Sequence, residues 1–436
     1  MKNEEYISMT RTGRMRRGAS SAVRSACLTA VVSLIVFCPA VIGKTVAQTF
    51  DEYFTDSTLR IDYIFGGNAD GQHIFVDKLN VMPRWYGKRT RLASLPVEGN
   101  GQITVRDRSG GTVIYRNSFS TLFQEWLTYD DALTNTRSFE NCFLVPMPKD
   151  TVDITVDLRD NRREITASLT HTVVPTDILI HRIGQRHTPY VTLQQAADTS
   201  RCIHIAFVAE GYTDREMDIF TDDALQAMDA VFEHEPFKSR RQCFNIIAVM
   251  SPSEDSGTSE PAGGQWRNTA LGSHFDTFYS DRYLTTLNIK DLHDLLAGTP
   301  YEHIIVLVNT EKYGGGGILN SYNLAMAHHR LFRPVVVHEF GHSFAGLADE
   351  YAYDNEPIPM YPHDVEPWEP NITTLVDPES KWDTGNHLYE GAGYSLNGIW
   401  RYAEDCRMRT NECPDFCTVC RQAIEKLIDF YTKEEF

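Results

Sequence analysis

Cysteine is scarce in this chain, nine in 436 residues, far below the density of a small domain held together by disulfides. Positive charge is also in deficit: 41 Lys and Arg face 59 Asp and Glu, a formal net charge of −18. Tracking a phosphate backbone requires a basic surface, so nucleic acid is excluded as a general partner. The sequence has no repeat of fixed period and no G-x-S-x-G elbow, so nothing supports Ser-His-Asp catalysis. The run Gly314 to Gly317 lacks the Lys-Ser/Thr ending of a phosphate loop. What is present is an ordinary globular composition, 42% hydrophobic and 23% charged, which excludes wholesale disorder and collagen-like or coiled-coil repeats. The length suits two or three domains, each able to bury a core.

The charge is unevenly spread. Residues 1–47 hold seven basic and two acidic side chains, a surplus of five, which leaves −23 on the remainder. Arg11 to Arg24 form a basic segment, Ala26 to Ile42 an apolar one broken by Pro39, and Thr45-Val46-Ala47 a small-residue cleavage site. That order predicts a secretory signal peptide over 1–47; the alternative is a retained single-span anchor, which Pro39 and Gly43 weaken. Phe37 is too bulky before Cys38 for a lipoprotein cleavage box. The expected location is therefore exported: secreted, periplasmic or at the cell surface, with membrane contact only through an uncleaved anchor. In an oxidising compartment disulfides are expected among Cys142, Cys202, Cys243, Cys406, Cys413, Cys417 and Cys420, the odd count leaving at least one thiol free.

Two textures follow. Over 48–182, short alternating segments such as Gln102-Ile-Thr-Val-Arg106, Val152-Asp-Ile-Thr-Val-Asp157 and Glu164-Ile-Thr-Ala-Ser-Leu-Thr170 are separated by turn residues. Period-two alternation predicts an antiparallel β-sandwich, with Asp107 to Gly111 as a hairpin connection. No catalytic constellation stands out there, so its expected role is structural or in substrate docking. After a linker at 183–197, residues 198–436 alternate longer apolar strands with helical patterns. The strands are Cys202–Ala209, Phe244–Met250 and His303–Asn309, and Asp214–Phe232 has helical spacing. Strand–helix–strand order predicts an α/β domain with a mostly parallel sheet.

The chemistry lies in Pro334-Val-Val-Val-His338-Glu339-Phe340-Gly341-His342. Residues at i and i+4 share one helix face, so His338 and His342 can reach one metal ion. Two neutral imidazoles suit Zn²⁺, and a catalytic site keeps one position for water beside three protein ligands. Glu339 stands next to the metal rather than on it, placed to act as general base toward a metal-activated water. The bland reading is a solvated helix with two surface histidines, which the apolar run Val335 to Val337 opposes.

A third ligand is needed. Asp349 follows His338 by eleven residues, about 16 Å along an unbroken helix, too far for ligands bonded near 2 Å. The helix must therefore end and turn back, and Gly346 is placed to supply a left-handed turn. Asp349 is the first choice to close the site and Glu350 the alternative; either could instead be a solvated acid or orient a histidine.

The stretch His338-Glu-Phe-Gly-His-Ser-Phe-Ala-Gly-Leu-Ala-Asp-Glu-Tyr351 resembles the metzincin clan of zinc endopeptidases, with Gly and the third ligand displaced by one residue and the ligand acidic. In that form it is similar to the IgA peptidase family. Further matching stretches are Phe207-Val-Ala-Glu-Gly-Tyr-Thr213, Glu369-Pro-Asn-Ile-Thr373, Lys381-Trp382, Tyr389-Glu-Gly-Ala392 and Cys406-Arg-Met-Arg409. The resemblance covers roughly 200–430 and implies a metzincin-like zinc peptidase domain preceded by an all-β sandwich. It also implies that Met408 is a Met-turn methionine packed beneath the metal; ordinary core filler is the alternative.

Other features stay open at this level. Gly314 to Gly317 could let a substrate backbone approach a sheet edge, or form a flexible loop. Cys413, Cys417 and Cys420 with Cys406 could hold a structural zinc, although export favours one or two disulfides pinning the Met-turn to a final helix, Arg421–Tyr431. Cys202 and Cys243 could pair or remain buried thiols. Tyr351, Tyr389 and Tyr394 are candidates for stabilising an oxyanion, and Glu390 for orienting a ligand. The expectation is an exported zinc-dependent endopeptidase with Glu339 as catalytic base, His338, His342 and Asp349 on zinc, and a protein or glycoprotein substrate. The alternatives are a surface glycoprotein-binding protein with a structural metal, and a zinc hydrolase of peptidoglycan peptides.

Overall fold

A computed structural model describes residues 49–353, 360–375, 381–382 and 388–433; the segment read as a signal peptide lies outside them. A short helix α1 (Phe50–Tyr53) leads into β1 (Phe54–Gly67), β2 (Gln72–Met82), β3 (Gly101–Asp107) and β4 (Val113–Phe119). Helices α2 (Leu122–Trp126) and α3 (Asp131–Thr134) precede β5 (Arg137–Pro148), β6 (Val152–Arg159), β7 (Ile165–Val173) and β8 (His181–Arg182). These strands form two four-stranded sheets, ordered β5-β1-β2-β8 and β4-β3-β6-β7. Alternation explains the layering. Val152, Ile154, Val156 and Leu158 of β6 are buried while the residues between them are half-exposed. The two inner faces meet through aromatics, Phe119 of β4 lying 4.1 Å from Phe143 of β5 between ring centroids. The expected hairpin at 107–111 forms because the Asp107 carboxylate accepts from the Gly110 N–H at 2.8 Å, with Gly111 at φ 69°.

The stretch expected as linker contains β9 (Tyr190–Gln194), which joins the next sheet as an antiparallel edge. The sheet continues with β10 (Ile203–Glu210), β11 (Phe244–Val249), β12 (His303–Val308), β13 (Gly315–Ile318) and β14 (Tyr322–Met326), in the order β13-β14-β12-β10-β11-β9. The pairings β10–β11, β10–β12 and β12–β14 are parallel. Because the strands are buried on both faces they read as unbroken apolar runs. Ala206, Val208, Ile304 and Val306 face a core shared with the sandwich, to which helix α5 (Ile289–Leu296) also contributes Leu292 and Leu296. Ile205, Phe207, Ile305 and Leu307 face the helices on the other side. Those helices are α4 (Met217–Phe232), α6 (Phe332–Ala345) and α7 (Thr418–Thr432). A Thr213–Glu216 capping box and one 3₁₀ turn precede α4, so the regular helix begins three residues after the sequence-based start. A small antiparallel sheet, β15 (Ile372–Thr373), β16 (Tyr389–Ala392) and β17 (Ser395–Arg401), completes the fold. Among the described residues no helix is long and apolar enough to cross a membrane.

Candidate metal centre

Helix α6 carries the pentad. Pro334 is tolerated in its first turn, where no intrahelical bond needs the missing N–H. The helix lies directly on β13, and the glycines there have a reason: a Cβ on Gly317 would meet the Glu339 carbonyl oxygen at 2.5 Å and His342 Cβ at 2.9 Å. The four-glycine run is therefore not a flexible loop; Gly315 to Gly317 lie in a strand that lets the pentad pack against the sheet. Its outer edge at Gly315 already accepts a hydrogen bond from the Leu284 N–H.

The helix ends at Ala345, and Gly346 takes φ 62°, ψ 32°, the left-handed turn the spacing required. Beyond it Leu347 N–H bonds the Gly341 carbonyl, and the chain reverses. Asp349 then returns to the helix: its Oδ1 lies 3.0 Å from His338 Nε2 and 3.3 Å from His342 Nε2, with the two nitrogens 3.0 Å apart. Each imidazole donates its Nδ1–H to a backbone carbonyl, His338 to Arg407 at 3.0 Å and His342 to Leu347 at 2.5 Å. That choice of tautomer leaves both Nε2 lone pairs facing the carboxylate oxygen. Three acceptors so placed repel one another unless a cation lies between them. Asp349 Oδ1 is buried without a well-formed hydrogen bond, while Oδ2 accepts from the Tyr394 hydroxyl at 2.5 Å.

The electrostatics agree. Burial alone would lower the His342 imidazole, but the Asp349 carboxylate outweighs it and raises the ring to about 9. Burial likewise opposes ionisation of Asp349, yet the two imidazoles hold it well below the ordinary carboxylate value. A positive charge is therefore favoured at this point, and two imidazole nitrogens with one carboxylate oxygen are a donor set that fits zinc. Burial raises the Glu339 carboxyl, with the imidazoles opposing that rise. These residues line a cleft of about 1200 Å³ that also reaches Gln124 and Glu125 of α2, Gly315–Leu319 and Tyr351.

Sequence-nominated residues divide clearly. His338, Glu339, His342, Asp349, Tyr351 and Tyr394 line the one cleft. Glu350 does not: it is fully buried beside Cys420, Sγ to Oε1 3.1 Å, and accepts from Asn371. Tyr389 is exposed beside Arg401, and Glu390 accepts from the Gly398 N–H within its own hairpin. Met408 is buried, and its sulfur would lie 2.7 Å from a Cβ on Gly341, directly beneath the pentad. All seven described cysteines are free, so the expected disulfides are not formed: the thiols that converge, Cys406, Cys417 and Cys420, number three and surround a carboxylate.

Sequence reasoning missed two residues. Asn371 clamps the ligand segment, accepting from Ala348 N–H at 2.7 Å and donating to its carbonyl at 2.9 Å. Glu125, on the sandwich side, is raised to about 7 by burial and accepts from the Tyr283 hydroxyl at 2.6 Å. The Glu369-Pro-Asn-Ile-Thr373 stretch was a signal for the first; nothing in the sequence marked the second.

Residues 191–388 match the family model described as IgA Peptidase M64, and residues 49–170 match the model of the Peptidase M64 N-terminus. The class these matches define is a peptidase. Since the two matches span most of the chain, it is a member of the IgA peptidase M64 family. No curated protein matches it in sequence.

Proposed function

We propose that this peptidase is an exported, zinc-dependent endopeptidase of metzincin-like architecture, in which the α/β region of 198–436 carries the chemistry and the sandwich of 48–182 forms part of the substrate cleft. The observation that carries the reading is the convergence of His338 Nε2, His342 Nε2 and Asp349 Oδ1, with Oδ1 left without a hydrogen bond. These three would hold the ion. When bound, zinc supplies Lewis acidity, polarising a substrate carbonyl and acidifying a water. Glu339, next to the ligand pair, would accept a proton from the attacking water and return it to the amine nitrogen of the departing product, a task its raised proton affinity suits. Tyr394 holds Asp349 by its hydroxyl, and Tyr351, parallel to the His338 ring at 6.5 Å between centroids, borders the same space. The Nδ1–H bonds to Arg407 and Leu347 fix both imidazoles in the required tautomer.

Three protein ligands and a neighbouring base favour hydrolysis over a purely structural metal, which would be closed by a fourth protein ligand. A protein or glycoprotein substrate fits an open cleft of this size. Glu339→Gln should reduce peptide hydrolysis by at least about 10³-fold, within the range of losing a positioned acid–base group and its electrostatic role, while bound zinc measured by mass spectrometry is unchanged. Retained hydrolysis in that variant overturns the assignment. Digestion of a proteome-derived peptide library, with cleavage sites read by mass spectrometry, separates an endopeptidase from a hydrolase of peptidoglycan peptides, which would leave the library intact.

A further inference from the structure

A second cluster lies outside the cleft. Cys406, Cys417, Cys420 and Glu350 are all buried or nearly so, come from three separate segments, and bring one ligand atom each within 4.8 Å of the others. We propose that these four side chains form a second metal site, for a zinc ion with a structural role.

The distances lie near those of a tetrahedral site and exclude a disulfide. A tetrahedron with zinc–sulfur bonds of about 2.3 Å has sulfur–sulfur edges of about 3.8 Å, and a sulfur–oxygen edge of about 3.5 Å. Cys406 Sγ and Cys420 Sγ are 3.8 Å apart, and Glu350 Oε1 lies 3.1 Å from Cys420 Sγ and 3.9 Å from Cys417 Sγ. A disulfide would need about 2.05 Å between two of the sulfurs, and it would leave the third thiol and the carboxylate without a role. Glu350 is fully buried, and its Oε2 has no hydrogen-bond partner. A buried carboxylate among three thiols is costly unless a cation compensates it.

The local backbone is built for thiolates. Cys417 is the N-cap of α7 and Cys420 lies in its first turn, the two-residue spacing of a zinc knuckle at a helix N-terminus. The Cys417 N–H donates to Cys406 Sγ at 3.2 Å. Such an N–H bond stabilises sulfur carrying negative charge. Cys413, the fourth member of the sequence-based set, bonds the Asp415 carbonyl instead, and Glu350 takes its place.

The position explains what the site would do. Glu350 follows Asp349 directly, and its N–H bonds the Met408 carbonyl at 2.8 Å. Cys406 begins the turn whose next residue, Arg407, orients His338, and whose Met408 lies under Gly341. One ion would therefore fasten the Asp349 segment, the methionine turn and the start of α7 together.

The test counts metal. In the purified full chain loaded with zinc, elemental analysis should give two ions; His338→Ala with His342→Ala should leave one, and Cys417→Ala with Cys420→Ala should also remove one. Should the cleft hold no ion at all, the unmodified chain would still retain one zinc that the histidine pair does not affect, so the two readings fail separately. Because the cysteine variant risks misfolding, the histidine variant is also loaded with Co²⁺. A near-ultraviolet sulfur-to-cobalt charge-transfer band is expected there. A folded histidine variant that binds no zinc and shows no such band overturns the proposal, as does alkylation before reduction showing two of the three cysteines already joined.

Discussion

Asp349 and Glu350 are adjacent acids whose side chains serve different clusters, and the reason is the turn that precedes them. Gly346 has positive φ, and a Cβ there would lie 2.6 Å from the Trp368 ring. Gly346→Ala therefore combines backbone strain with a clash, at a cost of about 1–3 kcal/mol. It should also weaken metal retention, since the same turn presents Leu347 to His342 and Asp349 to both imidazoles; thermal denaturation and chelator competition measure the two effects. Tyr394→Phe removes the hydroxyl that donates to Asp349 Oδ2 at 2.5 Å. Loss of such an orienting bond should lower metal affinity by about 10–100-fold, measured with a competing chromophoric chelator. At this scale the sequence was legible where one short segment holds the answer: the i, i+4 histidines, the glycine and the acid at eleven all lie between 338 and 349. Asn371 and Arg407 lie in stretches the sequence marked, but not what they bond, and Glu125 was not legible at all, because each reaches the site from a distant segment.

At the scale of elements, packing between α6 and β13 determines where the pentad sits. Gly317→Ala would place a methyl 2.5 Å from the Glu339 carbonyl oxygen, a backbone atom that cannot swing aside. The helix would have to lift from the sheet, costing about 1–3 kcal/mol, and activity should fall more than stability because Glu339 moves with the helix; paired measurement of kcat/KM and melting temperature checks this. A second coupling ties α4 to the segment after β14. His328 Nε2 and the Tyr212 hydroxyl both meet Asp223 Oδ2 at 2.8 Å. The bond to Asp223 raises the His328 imidazole above its ordinary value, against the opposing effect of burial. A histidine with a raised folded pKa stabilises the fold fully below about pH 6.5 and loses that contribution as pH rises through the folded value. Denaturant midpoints measured from pH 5.5 upward should decline, and Asp223→Asn should flatten the decline. Strands were readable from sequence where burial is uniform, as in Cys202–Ala209, or strictly alternating, as in β6. The glycine strand was not, because its side-chain-free residues carry no pattern and their reason lies on the helix above them. The start of β9 was hidden in the same way, an edge strand whose partner comes some fifty residues later at Phe244–Val249.

For the whole molecule, the change of sequence texture near residue 190 does not divide the buried core. One continuous apolar cluster joins Ile61, Val105 and Val156 of the sandwich to Val208, Val306 and Leu324 of the six-stranded sheet. Polar bonds cross the same boundary. Buried Arg60 on β1 pairs with Asp62 at 2.7 Å and with Asp294 on α5 at 2.5 Å, and Ser120 N–H bonds the Leu319 carbonyl at 3.1 Å. Residues from Ala47 onward accordingly form one compact unit. Two regions sharing a core should unfold together, because opening either one exposes the apolar face of the other. Calorimetry of the unit from Ala47 onward should give a single transition whose calorimetric and van't Hoff enthalpies agree. Two resolved transitions would show that the sandwich folds independently. Arg60→Met supplies the sharper check. Removing the guanidinium leaves Asp62 buried with Asn80 and the Cys142 thiol as its hydrogen-bonding side chains among the described residues, a loss of about 3–5 kcal/mol for an uncompensated buried charge. In a single cooperative unit that loss should lower the midpoint of release of zinc loaded into the cleft together with the midpoint of unfolding, although Arg60 bonds none of His338, His342 and Asp349.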